Sequence, residues 1–354
     1  MQAQLLENVC LVADGYHNAF TTLASWQGRY WLGFRRAATH NIATPGTIQI
    51  WTGPQETAFR HQATLTLPGR DHVDLRDPRF LATPSHLYCL IGAYHPMPPS
   101  RELRTDPAEN LISTYITSTK DGRSWAPLTR ILRPNYWGWS LLAIGKGFVC
   151  AAYHTGQHHE TSSIVLWLGK TVYTMEPHVV CYDGATNQAD RGPHYTPAEP
   201  VLFCPHTDTL ACYVRSEKGM DIGVSCFPYT DWRWHNTQQR IHPSATVPTV
   251  HGRLLAGRSL SQTQRGLTTA QTTIWYAEAQ HLTEILTLPS QGDCAYPGVV
   301  PRGGHPTEYY VSYYTQSKDH DRAGDRGADI YLARMSVHAE TLSHTQGLLG
   351  SLDT

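Results

Sequence analysis

Tyr296, followed by Pro297-Gly298, and Glu199, within Ala198-Glu199-Pro200, are two residues whose types can do chemistry together. A phenol with an ordinary pKa of about 10 is a poor nucleophile until a neighbouring carboxylate takes its proton. A neutral attacking oxygen also suits a carbon that already bears a carboxylate, because an anionic nucleophile would be repelled there. Arg35, Arg215 and Arg258 each close a β-favouring run, and planar guanidinium forks that converge on one axis hold a carboxylate bidentately. They are read here as an anion clamp. Among the 20 histidines, His17, His40, His95 and His154 fall at strand starts and ends or in the loop just beyond, where a group titrating near neutrality can act as acid or base. Asp77 joins the set as an acidic catalytic candidate, and its neighbour Arg76 joins His17 and His154 as candidates for substrate binding. Trp139 is an aromatic candidate for substrate contact. His72, His158 and His159 read as solvated loop residues.

Bringing these residues together requires a particular scaffold. The runs Arg29–Gly33, Leu87–Tyr94, Gly147–His154, Thr209–Arg215, Arg253–Arg258 and Glu308–Tyr314 are rich in β-branched and aromatic residues, and each follows a turn signal. They recur at intervals of about 40 to 60 residues, the period of propeller blades. A short apolar strand precedes each one: Ala19–Ala24, Arg79–Thr83, Ser140–Ile144, Glu199–Phe203, Thr246–Val250 and Pro297–Pro301. A third strand follows each one. The expected architecture is therefore all-β, a six-bladed β-propeller over residues 1–354 as one domain, with seven blades as the variant. In an antiparallel hairpin the start of the first strand lies beside the end of the second, so six starts and six ends meet at one mouth. Ser118–Trp125 (STKDGRSW) predicts a tight outer turn in which the Asp121 carboxylate accepts backbone N–H groups and Gly122 takes positive φ.

Bulk properties exclude several classes. A net charge of −1 provides no basic footprint for nucleic acid. No run approaches the roughly 18 apolar residues of a membrane helix. MQAQLLENVCLVADG lacks the pattern of a secretory signal. Eight cysteines stand singly, mostly in apolar runs and without metal-ligand spacing. Buried free thiols, a cytoplasmic location, and no metal or other cofactor are the expectations. The partner expected is an acidic oligosaccharide or glycoconjugate.

The chain resembles the sialidase superfamily, in particular the bacterial exo-α-sialidase-like propellers. The resemblance rests on Tyr16–Thr21 (YHNAFT), Gly33–His40 (GFRRAATH), Asp74–Phe80 (DLRDPRF) and the Asp-box at Ser118–Trp125. Pro228–Trp234 (PYTDWRW), Gly292–Val300 (GDCAYPGVV), Val311–Gln316 (VSYYTQ) and Ala328–Val337 (ADIYLARMSV) extend it over nearly the whole chain. It implies that Arg35, Arg215 and Arg258 are the carboxylate-binding arginines, Tyr296 the nucleophile, Glu199 its activating carboxylate and Asp77 the acidic residue of the second blade. Two departures stand out. Arg35-Arg36-Ala37 replaces an Arg-Ile-Pro stretch, and the loop that carries the acid/base Asp offers His40 and Asn41 instead. The expected activity is exo-acting hydrolysis of a terminal carboxylated sugar. The alternatives are a uronate lyase working by His/Tyr β-elimination and a non-catalytic glycan-binding propeller.

Overall fold

The computed structural model describes residues 1–41, 44–54, 58–95, 112–145, 147–154, 163–184, 197–216, 219–262, 268–322 and 325–339. Every element among them is a strand. The chain opens on β1 (Gln2–Val12), whose partner comes only at the far end of the sequence. Antiparallel pairing then gathers the strands into sets of four. The first set is β2 (His17–Trp26), β3 (Arg29–Ala37), β4 (Gly46–Gly53) and β5 (Arg60–Leu65). The second is β6 (Asp74–Ala82), β7 (Leu87–Tyr94), β8 (Ile112–Thr119) and β9 (Thr129–Arg130). Next come β10 (Tyr136–Ile144), β11 (Gly147–His154), β12 (Ser163–Gly169) and β13 (Glu176–Asp183). They are followed by β14 (Ala198–His206), β15 (Thr209–Arg215), β16 (Asp221–Cys226) and β17 (Arg233–Asn236). The fifth set is β18 (Ile241–Pro248), β19 (Arg253–Gln262), β20 (Thr268–Glu278) and β21 (His281–Thr287). In the last, β22 (Cys294–Pro301), β23 (Glu308–Arg322) and β24 (Asp325–His338) are completed by β1, which pairs along β24. The N-terminal strand thus ties the first residues to the last set, a pairing absent from the sequence reading.

The first strands of the sets touch in cyclic order: β2, β6, β10, β14, β18, β22 and back to β2. Large apolar side chains fill the spaces between neighbouring sets. Ile48 and Ile50 meet Leu87, Cys89 and Ile91 between the first two, and Trp137 and Trp139 meet Val201, Phe203 and Tyr213 further round. The contact between the second and third sets is close enough to require a glycine. A Cβ on Gly92 would come within 2.1 Å of the Trp137 ring.

Each of these inner strands carries a break in register near its start, at Ala19/Thr22, Arg76/Arg79, Gly138/Ser140, Ala198/Val201, Pro243/Ala245 and Ala295/Gly298. The bulged positions are Phe20, Asp77, Trp139, Glu199, Ser244 and Tyr296, one per set. Four of them take positive φ: Phe20 (59°), Asp77 (49°), Glu199 (55°) and Tyr296 (42°). Bulges re-aim side chains, and strained backbone of this kind costs about 1–3 kcal/mol per residue. Proline follows at 78, 200 and 297, where the bulge leaves no ladder partner for an N–H. The bulges also explain why the inner strands begin one to five residues earlier than their alternation indicated: an extra residue inverts the pattern of period two.

The Asp121 turn lies on the outer β8–β9 connection. Asp121 Oδ1 accepts from the backbone N–H groups of Arg123 (2.8 Å) and Ser124 (2.9 Å), and Gly122 has φ +71°. All eight cysteines are free, five of them buried and Cys10, Cys204 and Cys226 exposed.

Candidate active site at the channel mouth

Tyr296 and Glu199 come from the last and fourth sets, and the two bulges aim them at each other. Tyr296 Oη donates to Glu199 Oε1 at 2.6 Å, and Arg215 Nη1 reaches the same oxygen at 2.5 Å and Tyr296 Oη at 3.4 Å. Burial alone would raise the Glu199 carboxyl, but the charges of Arg215 and His242 and the Tyr296 hydrogen bond bring it below its ordinary value. Burial, followed by the Glu199 charge, pushes the Tyr296 phenol up. The resting pair is therefore a neutral phenol hydrogen-bonded to an ionised base. Phe20 and Trp139 set the Tyr296 ring edge-on, with centroids at 5.2 and 5.7 Å.

Arg258 also lies over the same ring, its Cζ 5.1 Å from the centroid. Its Nε and Nη2 donate to the Cys294 carbonyl, and Nη2 also reaches Tyr314 Oη at 3.2 Å. No described residue accepts from Arg258 Nη1 or Arg215 Nη2, so two guanidinium groups present donors beside Tyr296.

Arg35 departs from the expected clamp. It has no accessible surface; Nε and Nη2 donate to Asp74 at 2.7 and 3.1 Å, while Nη1 and Nη2 hold the carbonyls of Thr39, Asn41 and Thr44. Arg76, expected to touch substrate, is likewise buried, donating to Asp74 at 2.5 Å and to the His40 carbonyl. Asp74 is a fully buried acceptor at the start of β6 and absorbs both cations, which together fasten the backbone beneath His40. Gly46 makes room for this cluster, since a Cβ there would lie 2.2 Å from Asp74 Oδ1.

Trp139 also differs from expectation. It is 1% exposed and lies beneath Arg79, whose Cζ sits 3.9 Å from the ring, so it is buried wall and not a sugar platform. The His154 ring lies tilted against Tyr136, with centroids 5.0 Å apart, and His95 is buried near Tyr115. His72 is exposed as read, whereas His158 and His159 lie outside the described residues.

Asp77 is buried near Arg79, Arg76 and Glu199. Burial raises its carboxyl to about 6, against the lowering pull of the two arginines. The folded protein therefore holds this proton up to about pH 6, while the unfolded chain releases it near pH 4. The stabilisation is complete below about pH 4 and lost as pH rises through about 6, on the order of 3 kcal/mol. Denaturant unfolding of wild type and Asp77→Asn across pH 4–7 is expected to show this fall only in the wild type. Parallel profiles would contradict it.

His40 and His17 were anticipated at the mouth; the group that organises them was not. Asp293 Oδ2 lies 2.6 Å from His40 Nδ1 and 2.9 Å from His17 Nε2, and the two nitrogens are 3.3 Å apart. Tyr314 Oη donates to Asp293 Oδ1 at 2.8 Å, with Arg258 Nη2 at 3.4 Å. Burial would raise the Asp293 carboxyl, but the hydrogen bonds from both histidines and the cations around it hold it well below the usual range. Asp74, Arg79, His242 and Asp293 all escaped the sequence reading. Position relative to the inner-strand starts was the available signal for Asp293, which directly precedes β22.

No family model and no curated protein matches the chain. Solved structures do. It aligns with the Trypanosoma rangeli sialidase in complex with 2,3-difluorosialic acid (covalent intermediate) at TM-score 0.69 and 10% identity, covering 94% of this chain and 59% of that one. All are β-propellers, and the chain shares their fold. A Penicillium chrysogenum α-L-arabinanase complexed with arabinobiose matches at TM-score 0.64 and 12% identity, covering 93% and 98% of the two chains. An α-L-arabinofuranosidase from Fusarium graminearum with an iminosugar inhibitor gives 0.63 and 10%, with the same coverages. The chain spans about 58% of the length of the sialidases it matches.

Proposed function

We propose that the protein is an exo-acting glycoside hydrolase for a terminal carboxylated sugar, built as a closed ring of six four-stranded blades. The observation that carries this reading is the 2.6 Å hydrogen bond from Tyr296 Oη to Glu199 Oε1, shared with Arg215. Tyr296 Oη attacks the anomeric carbon while its proton passes to Glu199. The bond to the leaving oxygen breaks as that oxygen takes a proton from the protonated ring of His40. Water then attacks the glycosyl-tyrosine and gives a proton to His40, and Tyr296 recovers its own from Glu199. Arg215 and Arg258, whose Nη2 and Nη1 have no acceptor among the described residues, bind the substrate carboxylate. The shared fold supports this reading, since its neighbours include sialidases and arabinan-degrading enzymes.

A panel of sialosides and uronosides, followed for free reducing sugar and ultraviolet absorbance together, tests the class. Saturated sugar is expected; an unsaturated uronate would replace hydrolysis with elimination, and binding without product would leave a lectin-like propeller. Arg258→Ala is expected to weaken binding of a carboxylated ligand by about 2–5 kcal/mol, with little effect on its neutral analogue. Calorimetry on the two ligands makes the comparison, and equal losses would remove the carboxylate assignment.

A further inference from the structure

Proton placement around Asp293 follows from which atoms can donate. A guanidinium has no acceptor, and Arg35 Nη1 faces His17 Nδ1 at 3.4 Å. The Nδ1 atom of His17 therefore offers its lone pair, and a neutral His17 carries its proton on Nε2, which donates to Asp293 Oδ2 at 2.9 Å. An ionised Asp293 only accepts, so the 2.6 Å contact from His40 requires the proton on His40 Nδ1. Neutral His40 is left with an unprotonated Nε2, on a side chain that is 48% exposed at the mouth.

The ring is also held mechanically. Arg76 binds the His40 carbonyl, Arg35 binds the carbonyls on either side of it, and the Phe20 and His17 rings meet the imidazole edge-on at 5.6 and 4.9 Å. Tyr314 and Arg258 occupy the other oxygen of Asp293 and prevent it from turning.

We infer that Asp293 is a positioning residue that fixes His40 in the Nδ1–H form, leaving Nε2 as the atom that moves protons at the mouth, with Arg35-locked His17 as the second clamp on the same carboxylate oxygen. Its chemical use rests on the hydrolase reading, but the tautomer belongs to the resting protein and is tested without substrate. Asp293 gives up no proton itself. It orients the ring and stabilises the cation formed when Nε2 is protonated.

Long-range ¹H–¹⁵N correlation of the histidine rings in the ¹⁵N-labelled wild type, with assignment by His40→Gln and His17→Gln, reads the tautomers directly. Nδ1–H is expected for His40 and Nε2–H for His17. A predominant Nε2–H form of His40 would overturn the inference whatever the enzyme proves to hydrolyse. In Asp293→Ala, His40 is expected to move toward Nε2–H, and kcat on a substrate that wild type cleaves to fall about 10²- to 10⁴-fold with KM changed little. Unchanged kcat in that variant would overturn the positioning role. Stoichiometric binding of added Zn²⁺ by the wild type, lost in Asp293→Ala, would also overturn it, because a metal needs the lone pair of His40 Nδ1. The wild-type spectrum decides the matter even where the variant fails to fold.

Discussion

Tyr296→Phe lowers kcat by about three orders of magnitude or more while the affinity for substrate stays within a few-fold of wild type. The substitution removes one oxygen and leaves the ring between Phe20, Trp139 and Arg258 in place. On the proposed mechanism the donors of Arg215 and Arg258 survive and only the attacking atom is lost. Glu199→Gln is expected to be similarly slow, since an amide cannot take the phenol proton. That change also deprives Arg215 of its ionic partner and so weakens binding, which Tyr296→Phe does not. Steady-state kinetics with calorimetric affinities separates the two effects. Full turnover in Tyr296→Phe would end the tyrosine mechanism for hydrolysis and elimination alike, and would leave the mouth to Asp77 and His40.

Asp74→Ala produces the largest loss of stability expected anywhere in the site. It leaves Arg35 and Arg76 as two buried guanidinium groups without a counter-ion, and removing one partner of a buried ion pair costs about 3–5 kcal/mol. Both arginines also carry the backbone at Thr39, His40 and Asn41, so activity is expected to fall with stability, although Asp74 touches no substrate. Urea denaturation of wild type, Asp74→Ala and Asp74→Asn measures the cost. A change below about 1 kcal/mol would mean that the arginines find other acceptors, and that the cluster does not set the position of His40.

How much of this site could be read in advance depended on whether position along a strand determined the outcome. Tyr296, Glu199 and Arg215 were named because hairpin geometry brings strand starts and ends together, and in the structure the three are hydrogen-bonded to one another. Arg35 and Arg76 were placed by the same geometry and still misread as ligands. Their partner Asp74 lies only two residues from Arg76, but nothing in its neighbours distinguishes a buried acceptor from a solvated one. The fate of an arginine depends on which carboxylate reaches it first in three dimensions.

By itself the sequence determined the strand type of the elements, their recurrence, the outer turn at Asp121 and most of the inward-facing positions, because period-two patterning and turn chemistry are local. It also carried an unread mark of the bulges in Asp77-Pro78, Glu199-Pro200 and Tyr296-Pro297. Only the tertiary structure decided that β1 completes the sheet begun by β22, that Asp293 gathers two histidines from the first set, and that Trp139 is wall instead of platform. Those outcomes join residues far apart in the chain: Gln2 pairs with His338, and His17 and Asp293 lie 276 positions apart. Burial, charge pairing and proton placement at that range depend on the sets packing together, and no local pattern encodes them.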